Sequence, residues 1–378
     1  MMNENPLKKL ESFGQSIWMD FISRGTINSG QIARWIQQDG VSGMTSNPSI
    51  FEKAIVESHD YDASIRAMAG DQQPVEDLFQ SMAVEDIQRA ADLFRPIHAQ
   101  TEGVDGYVSI EVSPGLAHDT QGSIEEARKL WKLVDRPNVL IKIPGTREGL
   151  PAIRQMLGEG VNINITLLFG LPRYREVAEA YLGGLEDLLA SNRKPLKNAA
   201  SVASFFLSRI DVLIDPMLEK IMQEGGPKAD MAKAVHGQVA IASAKLAYQM
   251  YHEIFQSARF QKLAQQGAHP QRLLWASTST KNPSYGDVKY VDALIGPDTI
   301  DTVPVETLDA YRDHGHPANT LDQNIDQAHR VLDQLAELGI SLDAVTQQLE
   351  DEGVQKFEKS FTQLMDALKK SRSEVMTH

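Results

Sequence analysis

Eight short apolar runs, separated by long amphipathic segments, constrain this chain of 378 residues more than any other feature. The runs are Ile17–Asp20, Val41–Asn47, Tyr107–Val112, Asn138–Pro144, Val161–Phe169, Ala199–Leu207, Arg272–Ser277 and Thr299–Pro304. Their length and β-branched content predict strands, and most of the intervening segments carry apolar residues at spacings of three and four, which predicts helices. Strand and helix alternating in this way predict an α/β fold, a closed (β/α)8 TIM barrel, over an open doubly wound sheet. The open sheet usually announces a glycine-rich phosphate turn after its first strand, and neither GxGxxG nor GxxxxGK[ST] occurs here. A single barrel domain over 1–378 is expected, since such barrels run past about 250 residues as one unit. Residues 320–371 are expected to add two or three C-terminal helices packed on the barrel.

Local signals mark several boundaries. Asn28 or Ser29 is expected to cap a helix bearing Ile32, Trp35 and Ile36, with Gly40 ending it. Ser123-Ile124-Glu125-Glu126 reads as a capping box ahead of Ala127, Leu130, Trp131 and Val134. Leu171–Leu189, Arg209–Met222 and Val239–Phe260 read as further helices, and Lys262–Gln271 and Tyr311–Asn319 as polar loops.

Composition narrows the function classes. The net charge of −14 disfavours nucleic-acid binding, which needs a basic footprint. An anionic substrate would then have to be held by a few local cations. Zero cysteines exclude disulfides, thiolate zinc sites and cysteine nucleophiles. No apolar run approaches about eighteen residues, so no membrane span is expected. The N-terminal residues carry no secretory pattern, and a cytoplasmic location is expected.

Chemistry concentrates where the strands finish, the face that carries active sites in this barrel. Lys142 lies in Asn138-Val139-Leu140-Ile141-Lys142-Ile143-Pro144-Gly145. A lysine in an apolar run either snorkels to water or, once desolvated, serves as a neutral amine able to form a Schiff base with a carbonyl. Asp20 ends the first run and could instead cap a helix. Thr45 and Asn47 share a face at the second, although Asn47-Pro48 is also ordinary turn chemistry. Ser109 and Glu111 share a face on the third, with Glu111 either catalytic or paired with Lys142 as a structural ion pair. Asn162, Asn164 and Thr166 share a face on the fifth. Ser204, Phe206 and Arg209 follow from the sixth, and Ser277 leads to Lys281 after the seventh. Together these residues form a set able to process a phosphorylated sugar. Lys142 attacks a ketone, Glu111 and Thr166 hold a water, and Asp20 moves a hydroxyl proton. Asn47 and Asn164 bind hydroxyls, and Arg209, Lys281 and Ser204 take the phosphate.

Thr45-Ser46-Asn47-Pro48-Ser49, Ile110-Glu111-Val112, Ile141-Lys142-Ile143-Pro144-Gly145-Thr146, Asn164-Ile165-Thr166-Leu167-Leu168-Phe169 and Ser204-Phe205-Phe206-Leu207-Ser208-Arg209 resemble the transaldolases in order and spacing. The resemblance implies a cofactor-free, class I barrel enzyme of the pentose phosphate pathway, with no metal. It would move a dihydroxyacetone unit from sedoheptulose 7-phosphate to glyceraldehyde 3-phosphate, giving erythrose 4-phosphate and fructose 6-phosphate. Lys142 would be the Schiff-base lysine, Asp20 the acid–base residue, and Glu111 with Thr166 the water-holding pair. Asn47, Asn164 and Ser204 would contact substrate, Phe206 would form an aromatic wall and Arg209 would bind phosphate. Lys281 stands where many members carry arginine, so a point charge replaces a bidentate fork. The stretches 59–73 and 222–237 and the long tail resemble the longer branches of the family, as a monomer or homodimer.

Two other classes compete. A fructose 6-phosphate aldolase would share barrel and lysine, but such relatives are shorter and tend to carry tyrosine at the position of Phe206. A metal-dependent hydrolase could use His314 and His316, yet no strand end offers further histidine ligands. A non-catalytic scaffold would have no reason to bring Glu111, Lys142 and Thr166 together.

Overall fold

The computed structural model describes residues 5–69 and 74–377. Eight parallel strands close into a barrel in chain order: β1 (Gln15–Asp20), β2 (Val41–Thr45), β3 (Val108–Glu111), β4 (Val139–Pro144), β5 (Ile163–Leu168), β6 (Ser201–Phe206), β7 (Arg272–Ala276) and β8 (Thr299–Val303). Each falls within one of the eight expected runs or within two residues of it. β4, β5 and β6 are buried along their whole length, as strands covered on both faces must be. Their side chains alternate between the helix layer and the barrel interior.

The lower interior is filled by Trp18, fully buried, whose indole N–H donates to Asp105 at 2.7 Å. Its register partner is Gly43, where any Cβ would collide with the indole ring. Trp18 thus fills the barrel interior at this level, below the strand C-termini.

The longer helices include α1 (Pro48–Val56), α2 (Val75–Gln100), α3 (Thr120–Val134), α4 (Gly149–Gly158), α5 (Leu171–Ser191), α6 (Ser208–Glu224), α7 (Val239–Phe255), α8 (Val305–His314), α9 (Ile325–Glu337) and α10 (Leu342–Thr377). The tail forms two helices. The second, α10, crosses the C-terminal face and packs on α1, α2, α6 and β5. Arg173 of α5 pairs with Glu350 of α10 at 3.1 Å.

Several local expectations are corrected. Gly30, in a left-handed conformation, precedes the helix Gln31–Arg34, while Asn28 ends the preceding helix and Ser29 caps its C-terminus. The N-cap of α3 is Asp119, which accepts from the Gly122 N–H at 3.0 Å. Ser123 lies inside that helix and donates to the Leu116 carbonyl, and Glu126 accepts from the Ser113 N–H. Val239–Phe260 is broken at Ser257, which caps a separate helix, Ala258–Ala264. The two expected polar loops each begin inside a helix, at Ala258–Ala264 and at α8. The stretch 59–73 contains the helix Asp62–Ala69, and its residues 70–73 lie outside the described set.

Candidate active site

At the strand C-termini lies a cavity of about 750 Å³, lined by Asp20, Thr45, Asn47, Lys142, Thr166, Ser204, Phe206, Arg209 and Lys281 among others. Residues from β1, β2, β4, β5 and β6 and from the loop after β7 thus meet in one place.

Lys142 is 5% exposed, so the snorkelling alternative does not hold. Its Nζ donates to the Ser46 carbonyl at 3.0 Å and lies 3.3 Å from Glu111 Oε2. Glu111 is its register partner on β3, and the Glu111 side chain is 4% exposed. Burial pushes the Glu111 carboxyl above the ordinary range, with the Lys142 charge pulling the other way. The same balance acts on Asp20, where burial raises the carboxyl while Lys142 and a hydrogen bond from Thr45 Oγ1 (2.8 Å) oppose it. Asp20 does not cap a helix; Ser23 does that for Arg24–Asn28. Thr45 is also 2.8 Å from Thr302 Oγ1, so a hydroxyl from β8 completes the ring.

Beside the lysine, where Asn164 is the register partner of Lys142, Ser109, Asn164 and Ser204 form a hydrogen-bonded chain across β3, β5 and β6. Asn164 Nδ2 donates to Ser109 Oγ at 3.0 Å, and Asn164 Oδ1 accepts from Ser204 Oγ at 2.7 Å. Thr166 is fully buried, and its hydroxyl has no protein partner. Leu167, which follows it, has φ +55°, where the β5–β6 register shifts. That conformation is unusual for a non-glycine residue and marks a local kink at the strand end.

Asn47 lies past the end of β2 rather than on it. It is the N-cap of α1, accepting from the Ile50 N–H at 3.1 Å, and it also lines the cavity. Phe206 packs against Phe169 with ring centroids 5.2 Å apart, and the Arg209 guanidinium lies 5.9 Å from the Phe206 ring centroid. One buried Arg209 nitrogen, Nη1, has no protein partner, and burial lowers the pKa of this guanidinium. Lys281 donates to Ser279 Oγ at 2.5 Å. Partial desolvation and the neighbouring Arg209 hold its ammonium below the ordinary value, against Asp20 and Glu306.

Every expected site residue lies at this face. Glu111 and Asn164 contact other members of the set rather than lining the cavity. Sequence reasoning missed Lys53, Thr302 and Phe357, which also line it. Alternation along β8 points Thr302 inward and is a usable signal; Lys53 and Phe357 reach the cavity through helix packing alone. His314 and His316 lie at the surface beside Asp287, Asp313 and Asp292, away from the cavity.

The arrangement can form an imine. It offers a buried amine, two carboxyls at hand for protons, an unpartnered hydroxyl and cations at the rim. A family model described as Transaldolase/Fructose-6-phosphate aldolase matches residues 17–368. A protein of Trichodesmium erythraeum named Transaldolase is 47% identical over 371 residues, covering 97% of each chain. One of Thermobifida fusca with the same name is 47% identical, covering 96% of this chain and 97% of its own. One of Thiobacillus denitrificans is 45% identical, covering 96% and 99%.

Proposed function

Because the chain belongs to the transaldolase/fructose-6-phosphate aldolase family, we propose that it is a transaldolase, a transferase that carries a dihydroxyacetone unit on Lys142. The donor is sedoheptulose 7-phosphate and the acceptor glyceraldehyde 3-phosphate, with erythrose 4-phosphate and fructose 6-phosphate as products. The observation that carries the reading is the Lys142 amine, enclosed at a cavity floor and 3.3 Å from a buried carboxyl.

The positions of these residues support the following steps. The Lys142 amine gives up a proton and attacks the donor's ketone carbon. The carbinolamine loses water as the imine forms, with Glu111 and Thr166 holding that water. Asp20 takes the proton of the hydroxyl β to the imine carbon. The carbon–carbon bond breaks, the aldose phosphate leaves, and its electron pair stays on the bound unit as an enamine. Addition to the acceptor aldehyde reverses these movements, and the held water hydrolyses the new imine. Asn47, Asn164 and Ser204 orient hydroxyls, and Phe206 walls the chain. Arg209 and Lys281 bind the terminal phosphate, whose charge the net −14 would otherwise repel.

Among the described residues no helix is long and apolar enough to cross a membrane. We place the enzyme in the cytoplasm, as a monomer or homodimer, without a nucleic-acid partner.

Borohydride reduction with fructose 6-phosphate present should fix the three-carbon unit on the peptide containing Lys142, as read by mass mapping. Labelling of any other residue, or none, rejects the assignment. Arg209→Ala should weaken phosphorylated donors far more than unphosphorylated ones; equal loss on both argues against the phosphate role. Assays with and without an aldehyde acceptor separate transfer from simple cleavage.

A further inference from the structure

The two cations assigned to phosphate belong to different elements. Arg209 is the second residue of α6, and Lys281 lies in the loop after β7. All of α7 and β7 intervene, so connectivity alone does not fix their separation. The end of β7 is tied to the start of α6 by the bond from the Ser208 N–H to the Ser277 carbonyl (3.1 Å), and a buried polar cluster behind the two cations links the same elements a second time. Asp211 and Asp215 lie one turn apart on α6, 1% and 5% exposed. Asp211 accepts from the Tyr290 hydroxyl at 2.8 Å and from the Ala240 N–H at 2.9 Å. Asp215 accepts from the Gly237 N–H at 2.9 Å and from the Tyr285 hydroxyl at 2.5 Å.

Tyr285 is joined to Lys281 by a tight turn. The Asn282 side-chain oxygen accepts from the Ser284 N–H (2.9 Å) and hydroxyl (2.7 Å), and the Tyr285 N–H donates to the Asn282 carbonyl at 3.1 Å. A side-chain oxygen bonded two residues on in this way stiffens a turn. The Lys289 ammonium covers the Tyr285 ring, 3.5 Å from its centroid, and pairs with Asp211 at 3.3 Å.

We propose that Tyr285 and Asp215 are positioning residues: their hydrogen bond clamps the Lys281 loop to the helix that carries Arg209 and so sets the spacing of the two cations. This rests on the phosphate role proposed above for those cations. Neither Tyr285 nor Asp215 lines the cavity, so both act through the residues they hold. Loosening the clamp leaves the chemistry at Lys142 untouched and weakens only the grip on phosphate.

Tyr285→Phe removes one hydroxyl and keeps the ring under Lys289. It should raise KM for fructose 6-phosphate as donor about tenfold, the effect of losing a hydrogen bond to a charged acceptor. It should leave kcat within about twofold and leave KM for fructose unchanged. Asp215→Asn should give the same split and serves if Tyr285→Phe folds poorly. Arg209→Ala is measured alongside. If Arg209→Ala discriminates between the two donors and the clamp variants do not, the clamp is refuted and the phosphate reading survives. If Arg209→Ala itself fails to discriminate, the phosphate reading falls and the clamp with it. Equal losses of kcat on both donors in the clamp variants would mark a merely structural role and also overturn the proposal.

Discussion

Asn164 uses both ends of its amide on the barrel wall, donating to Ser109 and accepting from Ser204. One N–H and one lone pair remain for the substrate contact proposed above. Its orientation is thereby fixed before a sugar arrives, which reduces the ordering cost of binding. Thr166 differs, since its buried hydroxyl has no protein partner. Thr166→Val removes that hydroxyl at nearly constant volume, so kcat should fall by roughly 10²-fold, within the range of general acid–base contributions, while the thermal midpoint barely moves. Stopped-flow turnover and a melting curve check this. Lys142→Ala should abolish turnover and still fold, but it leaves Glu111 facing no cation. Breaking a buried pair costs roughly 3–5 kcal/mol. Glu111, already raised by burial, can take up a proton, so the deficit should shrink as pH falls, as denaturant melts at pH 5 and 8 would show. These inward residues were legible from strand alternation, which does not depend on distant sequence. Asn47 was only half legible, because the side-chain oxygen that caps α1 is also the atom the proposed ligand contact would use.

Helix α10 roofs the cavity. Phe357 lines the mouth, and Gly353 allows close approach, since a Cβ there would lie 3.0 Å from Leu167 Cδ2. Phe357→Ala should open the mouth and let water reach the imine, raising release of dihydroxyacetone from fructose 6-phosphate when no acceptor is present. It should also cost up to about 3 kcal/mol of stability. An unchanged acceptor-free rate would show that the roof does not exclude water. The tail was legible as amphipathic helices, but not the surface it covers. That depends on pairings such as Arg173 with Glu350, remote in sequence. Helix ends were the least legible features. Ser123 has the chemistry of a cap, yet its hydroxyl goes to Leu116, and Asp119 holds the position because the preceding loop presents it first. Competing side-chain acceptors a few residues apart are not ranked by type alone.

For the molecule as a whole, the closed barrel was legible because eight buried strands need eight apolar runs. What the runs do not disclose is polar matter hidden between the layers. Asp301 on β8 is fully buried, and only the Thr278 hydroxyl offsets the burial of its carboxyl. Burial pushes this carboxyl from 3.8 up to about 7. The folded state therefore binds a proton there that the unfolded chain releases, and stability falls as pH rises from about 4 through 7. Three pKa units amount to about 4 kcal/mol. Asp301→Asn should flatten the decline in thermal midpoint between pH 5 and 8 relative to the parent. A parallel decline in both proteins would contradict the assignment.

The Lys142 nitrogen rests against main-chain oxygen, at Ser46. Exchanging the Ser46 side chain for alanine keeps that oxygen, although it removes the buried hydroxyl's own bond to the Ser109 carbonyl (2.7 Å). Ser46→Ala should then leave amine placement intact, whereas changes that bend the neighbouring turn, at Asn47 or Pro48, should misaim it.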